Sequence, residues 1–510
     1  MLVDRKIGLA TIVVDAIKIA DLLPYTSSYA SQMDYSKSRA KELRALSDLI
    51  KSSVDKIEET LEANAQSFPS LDEPFSLESE ATRMSPDVLD AGGVIVAAAA
   101  QLVATVRIPA LTAMVTATSL HIPSCIRVII MCHVPETLRE AGPQGAHVND
   151  IAKPTGIDPD KLSRIMRVLC TNHIFKEVTP EVFANNRISS LFDTGKASSE
   201  IVKDPNSKHD NTPGFAALVE HITDEGYKAS SYLAETLMSP ATGLSGEPNQ
   251  TSFNVAYQTN LGIFPYFELP GNEYNLRRFS VAMSGAQNIS SPGAMLEGFD
   301  WKALPKGSLI VDVGGGVGSQ VLSLAKAFKD LNFVVQDREL VIKDAHKYWE
   351  KEFPEAVKSG RVKLQAHDFF NPQPVKAPAV FFMRMITHDW SDGYCVKILR
   401  QLREAAGPDT QLVIVDNTLS YACPDTSVAH DIPGAARPTP PYPLLANKGV
   451  ASTMAYLADM HMLSLMNGSE RTASKHYEVL KEGGWKLVRI YYSDRTGFEI
   501  ENSKLFAVPA

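Results

Sequence analysis

The sequence predicts an α/β protein, with a Rossmann-like, doubly wound C-terminal domain behind a mainly helical domain that contains a winged-helix unit. Three observations predict it. From Ser308 onward, short apolar runs alternate with helical stretches, the rhythm of a mostly parallel sheet with helices on its faces. The first run, Leu309–Val313, breaks into Gly314-Gly315-Gly316-Val317-Gly318, a sharp strand-to-helix turn. Upstream, residues 147–184 read as helix, turn, helix and short hairpin.

Taken in order, residues 1–88 form a helical extension and linker, 89–300 a helical, winged-helix and substrate-lining domain, and 301–510 the cofactor domain. The run Ile7 to Leu23 is interrupted by Asp15, Lys18 and Asp21, so it reads as an amphipathic helix rather than a signal or membrane span. Leu43, Leu46, Ile50, Val54, Ile57 and Leu61 give residues 40–64 a helical period, and the polar stretch Gln66 to Pro86 reads as a linker or surface loop. Residues 89–134 are apolar nearly all round, which places them inside a domain or a subunit interface. Asp158-Pro159 caps and opens the second winged-helix helix, and Thr179-Pro180-Glu181 turns the hairpin. The aromatics Phe253, Tyr257, Phe264, Tyr266, Phe267, Tyr274 and Phe279 mark a core that can also wall a pocket. Strands are expected at Ser308–Val313, Asn332–Gln336, Val362–Gln365, Val380–Met383, Leu412–Val415, Leu487–Tyr492 and Leu505–Val508. Six prolines between Pro424 and Pro443 make 424–447 an irregular surface insertion.

A net charge of −9 and a pI near 5.8 argue against a nucleic-acid surface. Lys161, Arg164 and Arg167 stand where a recognition helix would need them, but Asp158 and Asp160 offset them. Five scattered cysteines without C-x-x-C spacing indicate neither disulfides nor a metal site and fit a cytoplasmic protein. No membrane association is expected.

The glycine spacing is G-x-G-x-G, not the G-x-G-x-x-G that cradles a pyrophosphate. Asp337, ending the next strand, suits the two hydroxyls of a ribose. An adenosine ligand without phosphates is implied, and S-adenosylmethionine fits. Asp368 and Phe369, after the third strand, suit the adenine amino group and ring. His388, in Arg384-Met385-Ile386-Thr387-His388-Asp389, lies after the fourth strand, where ligands of open α/β sheets bind. A neutral imidazole there can take the proton of a phenol as its oxygen attacks a sulfonium methyl, provided the oxygen is held in line.

With these motifs and Asn467-Gly468-Ser469-Glu470-Arg471-Thr472, residues 90–510 resemble the class I S-adenosylmethionine-dependent O-methyltransferases of the plant caffeate and fungal secondary-metabolite type, in its longer fungal subgroup. The resemblance implies methyl transfer to an aromatic hydroxyl, S-adenosylhomocysteine as product, and an N-terminal domain that forms a homodimer and helps close the partner's pocket. It carries the cofactor loop onto Gly314 and Gly316, the ribose contact onto Asp337, the adenine contacts onto Asp368 and Phe369, and a cofactor-proximal cation onto Arg384. His388 becomes the base, with Asp389 beside it, and Phe279, Met283, Met462 and Asn467 become substrate contacts. Of the two glutamates that flank the histidine in plant members, Glu470 matches one, but Asn417 stands where the other is expected, with Asp416 as a possible substitute. Two other readings stay open: a pericyclase on the same fold, and a winged-helix DNA-binding regulator.

Overall fold

The computed structural model describes residues 40–288, 294–492 and 502–510; the run Ile7 to Leu23 lies outside them. In the winged-helix unit, β1 (Ala146–His147), β2 (Phe175–Thr179) and β3 (Val182–Asn185) form an antiparallel sheet in the order β1-β3-β2. The helix Pro159–Thr171 starts as its sequence dictates: Asp158 accepts a hydrogen bond from the Lys161 amide at 2.9 Å, and Pro159 fills the first turn. Its apolar face buries Leu162, Met166 and Leu169 against Phe175 and Phe183. On the outer face Arg167 pairs with Glu181 at 2.6 Å, so one of the three recognition-helix cations is neutralised within the unit.

The helix Lys41–Ala63 packs through Ile57 on Val88 and Ala91 of the helix Pro86–Val106. The stretch between them runs over the winged-helix unit and is tied to it: the Phe75 amide donates to Ser190 Oγ at 2.8 Å, and Lys176 meets Asp72 at 2.7 Å. The apolar helices that follow keep exposed apolar side chains among the described residues. Val103, Val106, Leu111, Met114 and Leu120 are exposed, and Pro86–Val106 and Pro109–Met131 are long and apolar enough to cross a membrane, by length and composition only. The aromatic segment folds as helices Ser252–Tyr257, Ile263–Phe267 and Glu273–Asn288. Phe253 and Phe267 are core residues packed with Leu465 and Met466, and the partly buried Phe279 and Met462 border them.

All seven expected strands form one sheet, in the order β10-β11-β8-β7-β4-β5-β6. β4 (Leu309–Val313), β5 (Asn332–Asp337), β6 (Val362–Ala366), β7 (Val380–Arg384) and β8 (Gln411–Leu419) are parallel, whereas β11 (Asn502–Pro509) runs antiparallel to both β8 and β10 (Trp485–Tyr492). A short β9 (Arg471–Thr472) pairs with the end of β8. The central strands are largely apolar because both faces are buried, with polar residues such as Asp312, Asp337 and Asp416 toward their carboxyl ends. Val311, Phe381, Met383 and Ile414 face the helix Asp392–Ala405, while Ile310, Phe382, Val413 and Val415 face Trp301, Val321 and Trp349. The Pro-rich insertion carries no regular element between β8 and residue 449, as its composition requires. It covers the outer edge of β10, where the Ile490 amide donates to Pro433 O at 2.9 Å.

Candidate active site

The carboxyl ends of β4, β5, β7 and β8 build one crevice. At the end of β4, Gly314, Gly316 and Gly318 have φ of 72°, 60° and 82°, the left-handed region that glycine enters freely. A Cβ on Gly314 would lie 2.5 Å from Ile386 Cδ1 and 3.5 Å from Phe369 Cε1, so the loop, Ile386 and the Phe369 ring are in close apposition. A Cβ on Gly316 would meet nothing within 4 Å, so the backbone here is approachable by a ligand. Asp337 locks the loop from β5: Oδ2 accepts from the Gly316 amide at 2.8 Å and Oδ1 from the Arg338 amide at 2.7 Å. Each carboxylate oxygen keeps a lone pair for a hydroxyl. Burial pushes the Asp337 pKa up, against these two amides. Asp312 is the loop's other acid. It is 1 % exposed, its Oδ2 has no hydrogen-bond partner among the described residues, and burial with the nearby Asp337 charge lifts its pKa to about 7. Arg384, ending β7, lies close enough to Asp312 to oppose that rise. These groups fit an uncharged ribose and adenine, and nothing in the loop is arranged for phosphates.

His388 occupies a 3-10 turn, Thr387–Asp389, that follows β7. Its Nδ1 is 2.9 Å from Glu470 Oε1 and its Nε2 3.2 Å from Asp389 Oδ1, and 12 % of its side chain remains accessible. Burial alone would push its pKa down. Asp389, Glu470 and Asp416 together overcome that and raise it to about 10, while burial lifts Asp389 and Asp416 to about 6 against the His388 charge. One imidazole among three acids titrates as a coupled cluster, in which the acids favour the protonated ring.

The backbone explains the placement. β8 and β9 align Thr418 with Arg471, which sets their predecessors Asn417 and Glu470 side by side. Asn417 Nδ2 donates to Glu470 Oε1 at 2.9 Å. Arg471, 2 % exposed, clamps the histidine turn by donating to Thr387 O at 2.7 Å and Trp390 O at 2.6 Å while pairing with Asp392 at 2.9 Å. Gly468 lets the segment before β9 lie against the histidine turn: a Cβ would fall 2.2 Å from His388 O. Asp459 accepts from the Glu470 amide at 2.9 Å.

Two of the expected site residues have further partners. Asn417 Nδ2 is spent on Glu470 Oε1, the same oxygen that meets His388 Nδ1, because the β8/β9 register turns it that way. Asn467 ends the helix Thr453–Met466 with φ 54°, and its Nδ2 donates to Glu247 O at 2.8 Å and Gln250 O at 3.2 Å. Asp368 is exposed, its Oδ1 accepting from the Phe370 amide at 3.0 Å, and Phe369 stands edge-on to Trp390 at 5.9 Å. Phe279 and Met283 lie one turn apart on one helix face, and Met462 borders the same aromatic cluster as Phe279. The sequence reading missed Arg471, Asp459 and Ile386; Arg471 was within reach, as a cation inside a motif already singled out. A separate cleft of about 820 Å³, lined by Phe299, Leu309, Gln411 and Phe506, lies at the opposite end of the strands and holds none of these groups.

A family model of the O-methyltransferase domain matches residues 241–432, and one of the O-methyltransferase dimerisation domain matches residues 114–195. The chain is 44 % identical to an O-methyltransferase of Armillaria gallica, covering 92 % of this chain and 99 % of the relative. It belongs to the S-adenosylmethionine-dependent O-methyltransferases. A 4-O-methyltransferase of Phanerochaete chrysosporium is 40 % identical over 92 % of this methyltransferase and 99 % of its own length. Among solved structures, an O-methyltransferase from neocarzinostatin biosynthesis, in complex with S-adenosyl-L-homocysteine and 1,4-dihydroxy-2-naphthoic acid, superposes with a TM-score of 0.53 at 21 % identity over 76 % of this chain and 96 % of its own. A pericyclic reaction enzyme superposes at 0.62 and 16 % identity, over 91 % and 100 %; at that identity the likeness shows the fold alone. The regulator and pericyclase readings are therefore set aside for the methyltransferase one.

Proposed function

We propose that this methyltransferase methylates a hydroxyl of a phenolic or other aromatic small molecule, with His388 as general base. The observation that carries this reading is the His388–Glu470–Asn417 chain of 2.9 Å contacts, opening onto the crevice that holds the glycine loop and Asp337. S-adenosylmethionine, when bound, supplies an electrophilic methyl and a positive charge, and leaves as S-adenosylhomocysteine. Gly314, Gly316, Asp337, Asp368 and Phe369 would hold it, with Arg384 beneath the loop.

Glu470 accepts from Nδ1 and so orients the imidazole with Nε2 toward the acceptor side, where Asp389 also sits. His388 can accept the acceptor's proton at Nε2 only when that nitrogen is bare. The positive charge that bound S-adenosylmethionine would bring to the crevice would favour that state, since a cation nearby opposes the charged imidazolium. Phe279, Met283 and Met462 supply a flat apolar wall that suits an aromatic ring. The exposed apolar face of residues 103–120, overlapping the dimerisation match from residue 114, is read as the surface that a second copy covers to give a homodimer. The cysteines among the described residues are all free, which supports a cytoplasmic location.

The test is His388→Ala assayed on a panel of phenols with S-adenosylmethionine. We expect kcat to fall about 10²–10⁴-fold while S-adenosylhomocysteine affinity holds. Transfer by the variant at the wild-type rate would remove His388 from this role.

A further inference from the structure

Two more imidazoles meet beside the catalytic one. His221 lies 2 % exposed at the start of a π-helical turn, Ile222–Gly226, a rare geometry often found at functional sites. Its ring stands edge-on to Phe279 at 5.3 Å and to His461 at 5.5 Å. Nδ1 is 3.1 Å from Glu225 Oε2, and the fully buried Glu225 is held by Arg278 and Asn275. That carboxylate fixes the His221 proton on Nδ1 and leaves Nε2 as the group's other face.

His461 comes from the helix Thr453–Met466, whose Asp459 holds the Glu470 backbone. It is partly accessible, and its ring nitrogens make no hydrogen bond among the described residues. The π turn makes room for it: Gly226 has an ordinary helical φ of −60°, yet a Cβ there would fall 2.4 Å from His461 Cε1. Burial, together with the neighbouring His221 and His388, lowers the His461 pKa to about 3, so the ring is neutral with one donor and one acceptor. With both ring nitrogens unbonded to the described residues and the ring partly accessible, His461 keeps a donor and an acceptor available to a bound molecule.

We propose that His461, backed by His221, is a second polar contact for the acceptor, hydrogen-bonding an oxygen other than the one methylated. The preferred acceptors are then aromatics with two oxygen substituents, one at His388 and one at His461. This rests on the methyl-transfer reading of the same crevice. His461 is a positioning residue: its contact is made in the bound complex and shows chiefly in KM.

The experiment compares kcat/KM for pairs of phenols of equal shape, in which a second hydroxyl at each ring position is replaced by methyl. For at least one position the wild type should prefer the dioxygenated partner about 10-fold, the worth of one neutral hydrogen bond. In His461→Phe the ratio should fall to near one through KM, and His461→Gln, which keeps a donor and an acceptor, should recover part of it. If the phenylalanine variant loses the rise in melting temperature with S-adenosylhomocysteine that reports a folded enzyme, His461→Met takes its place. A wild-type ratio within threefold of one at every position overturns the proposal, as does a ratio that survives in the apolar variant. Absence of methyl transfer from the wild type to any phenol overturns the methyl-transfer reading instead.

Discussion

The carboxylate of Asp389, 3.2 Å from His388 Nε2, holds the proton on the base, and Asp389→Asn should release it. Two unit charges at that distance interact by about 5 kcal/mol at an effective dielectric of 20, a ceiling of nearly four pH units. With 19 % of the Asp389 side chain accessible, water screens part of this, and asparagine retains a dipole. We expect the His388 pKa, held at about 10 in the free enzyme, to fall by about 1–2 units. The assay is the pH dependence of kcat/KM, which reports free-enzyme ionisations. In the wild type it should climb with pH toward about 10, because only bare imidazole can accept the proton. In the variant the climb should come at lower pH. Running two acceptors whose own pKa values differ by about two units separates their ionisation from that of His388. A limb that stays in place, or moves up, refutes the electrostatic account of this site.

Three further outcomes follow from the same geometry. Asp337→Ala removes the acceptor of the Gly316 amide and the ribose contact together, so KM for S-adenosylmethionine should rise at least about 10-fold by kinetics, with S-adenosylhomocysteine affinity by calorimetry falling in parallel. Glutamates at Leu111 and Met114, both exposed in the single chain, should shift the molecular mass in solution from dimer to monomer by light scattering; an unchanged dimer would place the interface elsewhere. Asn417→Asp adds a carboxylate against Glu470 and should move the acidic limb of the pH profile upward, opposite to Asp389→Asn.

The sheet was legible because its strands are buried on both faces, which forces continuous apolar runs such as Val380–Met383. His388 and Glu470 were singled out from two separate motifs, and the fold brings them to 2.9 Å from one another. What the sequence hid is register. Nothing local in Val415-Asp416-Asn417 says that pairing Thr418 with Arg471 will aim Asn417 at Glu470 rather than at His388. The partners of Asn467 were hidden for a related reason: Glu247 and Gln250 lie about 220 residues away in sequence. The His221–His461 pair joins positions equally remote in sequence, and its only local sign is the glycine at 226.

The substitution of asparagine for a second glutamate reads differently once charges are counted. Asp389, Asp416 and Glu470 already raise one imidazole to about 10. A fourth carboxylate would hold the proton tighter and leave less bare base at neutral pH. Asn417 performs the other half of a glutamate's work without that cost, since its Nδ2 donates to Glu470 Oε1 and holds the oxygen that orients Nδ1. In this site Glu470 sets both geometry and basicity, Asn417 aims the ring without adding charge, Arg471 fixes the turn that carries it, and Asp389 and Asp416 add to its hold on the proton. Substitutions at Asn417 and at Asp389 should therefore move the pH profile in opposite directions, and no account in which all the acids merely orient the histidine predicts that.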